Sequence, residues 1–232
     1  MANELTIVPG DVHPVEILER YTAPVGEDLT AGAFCKPNPV GHLMFTNATE
    51  DVTGGGFALV STQQYLPVTL LRRGLIFLGA ALDALAFGTR LFLSTIDGRI
   101  TPTNPAANEV QTIALTGTPT GGTFTLTLNG QTTAGIAFNA AATAVQSALE
   151  ALSTIGRGNV IVTGSGPWAI TFVNDLGKQP IAALTKDATG LTGGTSPNVT
   201  VTETVAGVHE IVVGTVEAIP ARTTPLKALR VG

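Results

Sequence analysis

Between Asn108 and Gly207 about one residue in five is threonine, and the segments on either side are not built that way. The change begins at Thr101-Pro102-Thr103-Asn104-Pro105, which reads as a linker. The earlier style returns at Glu210–Glu217, with its Ile-Val-Val-Gly-Thr-Val run. A chain that changes style and then reverts is most simply one domain interrupted by another, because insertions succeed at exposed loop tips whose ends lie close together. The expected division is an extended N-terminal arm at 1–27, a discontinuous β base domain at 28–107 and 208–232, and an inserted module at 108–207.

Local patterns give the class. In Gly122–Leu128, Phe124, Leu126 and Leu128 alternate with polar residues, which is the period of a half-buried strand. Asn129-Gly130 follows as a hairpin turn, with a partner strand expected around Ile136–Phe138. Val145, Ala148, Leu149 and Leu152 predict one amphipathic helix, capped by Asn139 and ended by Gly156. Gln111–Leu115 is expected as a strand ahead of these, and strands resume at Asn159–Thr163, Trp168–Val173 and Ile181–Leu184, a β-β-β-α-β-β-β pattern that Val199–Val205 completes. In the base domain, His42–Thr46, Phe57–Val60, Val68–Leu71, Leu75–Leu78, Arg90–Ser94 and Lys227–Val231 read as short strands. Arg72-Arg73-Gly74 reads as a turn between two of them, and Asp97-Gly98 as a hairpin turn. The expected fold is mainly β: a small β-barrel-like or β-sandwich-like base with an inserted α+β module.

Residues 1–40 are broken by Pro9, Pro14, Pro24, Pro37 and Pro39, so no helix is expected there. Their apolar content is too high for a simple disordered tail. An arm that orders against another subunit accounts for both features.

Candidate chemistry is sparse. His13, His42 and His209 have no neighbouring His or Cys at metal-ligand spacing, so no metal or other cofactor is expected. Cys35, the one cysteine, lacks an activating base in sequence and reads as a structural thiol. The acid pairs Glu16/Glu19, Glu27/Asp28 and Glu50/Asp51 sit in polar or Pro-rich surroundings and read as surface carboxylates. Trp168 shares a strand face with Ile170 and Phe172, which favours the core over a sugar-stacking platform. No catalytic residue is expected, and the protein is read as a non-enzyme. Twelve basic against 17 acidic residues, a net charge of −5, argue against nucleic-acid binding. Leu75–Phe87 is too short to span a bilayer and contains Asp83, so no membrane partner is expected. Charged residues make up only 12% of the chain, so subunit contacts are expected to cover part of its surface.

Two sets of motifs carry a family resemblance. Asp28-Leu29-Thr30-Ala31-Gly32, the run Phe87–Thr101 with its Asp97-Gly98 turn, and Ile211–Ala218 leading to Ala228-Leu229-Arg230-Val231 resemble the head-decoration, or capsid cement, proteins of tailed bacteriophages. This likeness covers roughly 28–101 and 211–231. Glu109–Ile113, Thr116–Phe124, Ala144–Leu152 and Leu191–Pro197 resemble a Thr/Gly-rich module of actinobacteriophage structural proteins. The resemblance implies a structural virion protein, made in the host cytoplasm, that binds the major capsid protein. It implies a homotrimer on the outer surface of the capsid, stabilising the lattice and displaying the inserted module outward. Leu5, Ile7, Val8, Val12, Val15, Ile17 and Tyr21 then become candidate capsid contacts, adding a strand to a capsid-protein edge. The alternative is a tail-associated or adhesin-like protein that binds host-surface glycan through 108–207.

Overall fold

The structure is a computed structural model that describes residues 4–50, 55–219 and 227–232. In chain order the strands before the helix are β1 (Val12–Pro24), β2 (Phe34–Pro37), β3 (Leu43–Phe45), β4 (Gly56–Ala58), β5 (Pro67–Leu78), β6 (Arg90–Leu93), β7 (Ile100–Thr101), β8 (Val110–Thr116), β9 (Gly121–Leu128), β10 (Gln131–Thr132) and β11 (Ile136–Ala137). After helix α1 (Ala142–Glu150) come β12 (Val160–Gly164), β13 (Trp168–Phe172), β14 (Thr185–Asp187), β15 (Leu191–Thr192), β16 (Asn198–Val205), β17 (Val212–Ala218) and β18 (Lys227–Val231). The fold is mainly β, with a single α-helix among the described residues. It divides into two compact units: unit 1 is Met1–Pro105 with Glu210–Gly232, and unit 2 is Ala106–His209.

Unit 1 is one curled, half-barrel sheet in the order β3-β2-β4-β5-β18-β17-β6-β7, with β1 paired to β5. β5 organises it. Its Leu70–Leu71 stretch pairs with β1 on one edge and β4 on the other, and Gly74–Ile76 pairs with β1 and β18. The expected turn at Arg72-Arg73-Gly74 is instead the middle of this continuous strand. Gly74 makes that continuity possible: its φ is +139°, and a Cβ there would lie 2.1 Å from the Glu16 carbonyl oxygen. Register slips on β1 at Pro14/Glu16, Ile17/Glu19 and Glu19/Arg20 absorb the mismatch as bulges. Leu70, Leu71, Leu75, Ile76 and Leu78 are all fully or almost fully buried, and since neighbours such as Leu70 and Leu71 point to opposite faces, β5 is covered on both sides.

Residues 12–24 lie within unit 1 as strand β1 rather than outside it. Pro14 and Pro24 forbid a helix but suit a strand paired along one edge only among the described residues, where no ladder donor is needed on the other. Upstream, the Leu5 amide donates to the Ile100 carbonyl at 2.9 Å, so the N-terminal segment runs beside β7.

Unit 2 has two sheets over one core. One is β12-β13-β8-β16; the other is built around β9, which pairs with β10, β11, β14 and β15. Phe124, Leu126 and Leu128 of β9 are buried with Trp168, Ile170 and Phe172 of β13 and Val145 and Leu149 of α1. Asn129 and Gly130 both have positive φ, 48° and 81°, and turn β9 directly into β10. The strand expected near Ile136 does pair with β9, further along, as β11.

Three local expectations are corrected. α1 begins after Ala141, not Asn139, and has no side-chain cap. It ends at Glu150, and Gly156 closes a later turn by donating to the Leu152 carbonyl at 2.7 Å. No strand forms at 181–184; the strand is β14, at Thr185–Asp187. There the ladder is replaced by side chains: Glu109 accepts from the Ile181 amide at 2.5 Å, and Gln111 accepts from the Leu184 amide at 2.8 Å. Gln111 also donates to the Ala182 carbonyl at 3.2 Å and to Glu109 at 2.6 Å. Both side chains are buried, and each buried polar group finds a partner in this clamp. The element order within unit 2 is therefore β-β-β-β-α-β-β-β-β-β.

Candidate interaction surfaces

The seven N-terminal candidates are not equivalent. Val12 is buried within unit 1, and Leu5 and Ile7 are half-buried. Ile7 packs on Gly32, whose Cβ position lies 2.8 Å from the Ile7 side chain. Tyr21 is half-buried, with the Arg72 guanidinium 4.4 Å above its ring. Val8, Val15 and Ile17 remain on the surface. Leu18 joins them and, at 59%, is the most exposed apolar residue of β1. The β1 bulges break the in-out alternation, so residues 15–20 are all exposed, which the spacing of apolar residues in sequence does not reveal.

The acids serve the fold. Glu16 pairs with Arg230 at 2.6 Å, and Arg230 also reaches Glu217 at 3.1 Å, tying β1, β18 and β17 together. The hydrogen bond that Arg230 donates to Glu16 leads the causes that raise the Arg230 pKa. Glu27 accepts from the Phe45 amide at 2.7 Å, and Asp28 accepts from the Gln64 amide at 2.8 Å. Lys36 pairs with Glu50 at 3.0 Å, and its hydrogen bond is the first cause holding the Glu50 carboxyl below its usual range. Asp51 lies outside the described residues.

Cys35 is fully buried between β3 and β4, and burial, then the Glu27 charge, push its thiol up to about 12. Thiolate is the reactive form, so the native protein is expected to resist thiol reagents at pH 8 and to react only as unit 1 opens. A native-state labelling time course checks this; rapid stoichiometric labelling without denaturant would contradict the burial.

His13 stacks on Phe77 at 4.8 Å, and His42 meets the Tyr65 ring edge-on at 6.1 Å. Among the described residues no cluster of three or more His, Cys, Asp or Glu side chains could hold a metal ion. None of their helices is long and apolar enough to cross a membrane.

In unit 2, Trp168 is fully buried, donates to the Ala140 carbonyl at 3.1 Å, and lies 5.6 Å from the Phe124 ring. It therefore offers no face to a sugar. A cleft of about 810 Å³ runs past Asn108, Gln146, Val160, Ile161, Asn174 and Lys178, and none of the residues lining it is aromatic. The ends of unit 2 meet: Ala107 and Val208 exchange two backbone hydrogen bonds, of 3.1 and 2.9 Å.

No family model matches the chain. The chain is similar to a tail sheath protein of Mycobacterium phage Bxz1, 41% identical over 130 residues, which is 55% of this chain and 21% of that protein. It thus spans about a fifth of the relative's length. The matched span is longer than either uninterrupted segment of unit 1, so it takes in part of unit 2. A solved structure from Mycobacterium phage Patience aligns over 93% of this chain and 91% of its own, at 17% identity and a TM-score of 0.31. The partial relationship is to a structural protein of a phage virion.

Proposed function

We propose that the protein decorates the phage head, with unit 1 gripping the major capsid protein and unit 2 carried as a displayed module. The observation that carries this reading is the insertion itself. Unit 2 closes its own ends at the Ala107–Val208 bridge and has its own core, while in unit 1 strand β1 pairs along one edge only, with β5, among the described residues. Unpaired strand edges are ready templates for another chain, and Val8, Val15, Ile17 and Leu18 offer apolar contact beside this one.

A second reading, tail association, is favoured by the partial similarity to the tail sheath protein of phage Bxz1. Localisation and copy number separate the two. Gold-labelled antibody against unit 2, read by electron microscopy of purified particles, is expected to cover the head in many copies. Label confined to the tail would reject the decoration reading.

A further inference from the structure

Tyr65 has φ +67°, a left-handed conformation that a bulky aromatic rarely adopts. Such a residue carries backbone strain and persists only where its surroundings fix it. Here they do. The Tyr65 amide donates to the Val25 carbonyl at 2.8 Å, and the Val25 amide donates to the Leu66 carbonyl at 3.1 Å. Gln64 donates its amide to Asp28 and its side chain to the Gly26 carbonyl, at 2.8 and 2.6 Å. Leu29 and Thr62 exchange two more bonds, both 2.9 Å.

All this ordering holds apolar side chains in water. Tyr65 is 66% exposed and Leu66 52%. The neighbouring hairpin tip adds Val40, 76% exposed, with Asn38 accepting from the Val40 and His42 amides at 3.0 Å each. The tip is tied to the same place, since the Gly26 amide donates to the Leu43 carbonyl at 2.8 Å and the His42 ring meets Tyr65. Burial does not repay the strain, and glycine would fit the backbone better. Rigid, preordered aromatic anchors flanked by apolar residues are what protein interfaces use as hot spots.

We infer that Tyr65, Leu66 and Val40 form a preordered docking anchor for a protein partner with an apolar pocket and a cationic rim. The rim follows from charge. The three segments that build the patch, 21–29, 38–43 and 59–67, contain Glu27 and Asp28 and no Lys or Arg. Resting on the reading above, the occupant is the major capsid protein, and the anchor continues from the end of β1, where Pro24 pairs with Pro67.

The test supplies variants in trans to a phage lacking this gene and counts copies per purified particle, alongside thermal melts of each purified variant. Tyr65→Gly is expected to melt at or above the wild-type temperature, because it relieves the left-handed strain, yet to lower incorporation roughly tenfold or more. Leu66→Lys is expected to lower it further than Leu66→Glu, since a cation meets the cationic rim. Full incorporation of folded Tyr65→Gly overturns the anchor, as does loss of its fold, which would make Tyr65 a structural residue. Equal or greater loss with Leu66→Glu overturns the rim. Label position on the same particles judges the head reading separately: loss of incorporation with tail labelling keeps the anchor and rejects the head.

Discussion

Trp168→Ala is expected to destabilise unit 2 by about 3–5 kcal/mol, the range for removing a large buried aromatic. The ring has no exposed surface, lies against Phe124, and supplies the donor for the Ala140 carbonyl beside the start of α1. Its loss leaves a cavity and an orphaned acceptor together. Since whole domains are stable by only about 5–15 kcal/mol, the variant removes a large share of what holds unit 2. Trp168 is the one tryptophan, so the titration must be followed by circular dichroism rather than indole fluorescence. Trp168→Phe separates the two contributions, keeping most of the volume and losing the hydrogen bond. Unit 1 has its own core around Cys35 and Leu70, so Cys35 protection is expected to survive both changes. A loss below about 1 kcal/mol for Trp168→Ala would contradict the close packing of this site.

Gly74→Val is the second large effect. The backbone conformation alone is expected to cost about 1–3 kcal/mol. The new Cβ would also occupy space 2.1 Å from the Glu16 carbonyl, which is backbone and cannot swing aside. β1 must leave β5 to make room. Urea denaturation should show a lower midpoint, and hydrogen exchange should show faster exchange confined at first to β1. A midpoint unchanged from wild type would mean that the β1 bulges are looser than their register implies.

Sequence patterning reaches those elements whose information is local. The β9 alternation, the Asn129-Gly130 turn and the shared face of Trp168, Ile170 and Phe172 are each written within a few residues, and the structure has them. The misses depend on distant partners. Arg72-Arg73-Gly74 looks like a turn because the strand that passes through it needs a bulged neighbour 57 residues upstream, Gly74 opposite Ile17. Residues 181–184 look like a strand because they are apolar, while their hydrogen bonds go to Glu109 and Gln111, more than 70 residues away. The N-terminal candidates were legible as apolar and extended, but not which of them face water: Val12 is buried and Ile17 is not. Tyr65 gives no signal at all, since tyrosine is not a turn-forming residue and its conformation is imposed by Val25, Gly26 and Asp28.

The Ala107–Val208 bridge has a genetic meaning. A segment whose two ends touch can be excised or swapped in frame while the chain around it still has to close only a short gap. Closure entropy grows slowly with loop length, so inserts of very different size tax the host domain almost equally. Unit 2 is thus a cartridge with a built-in clasp, which an in-frame exchange can replace without redesigning the domain that carries it.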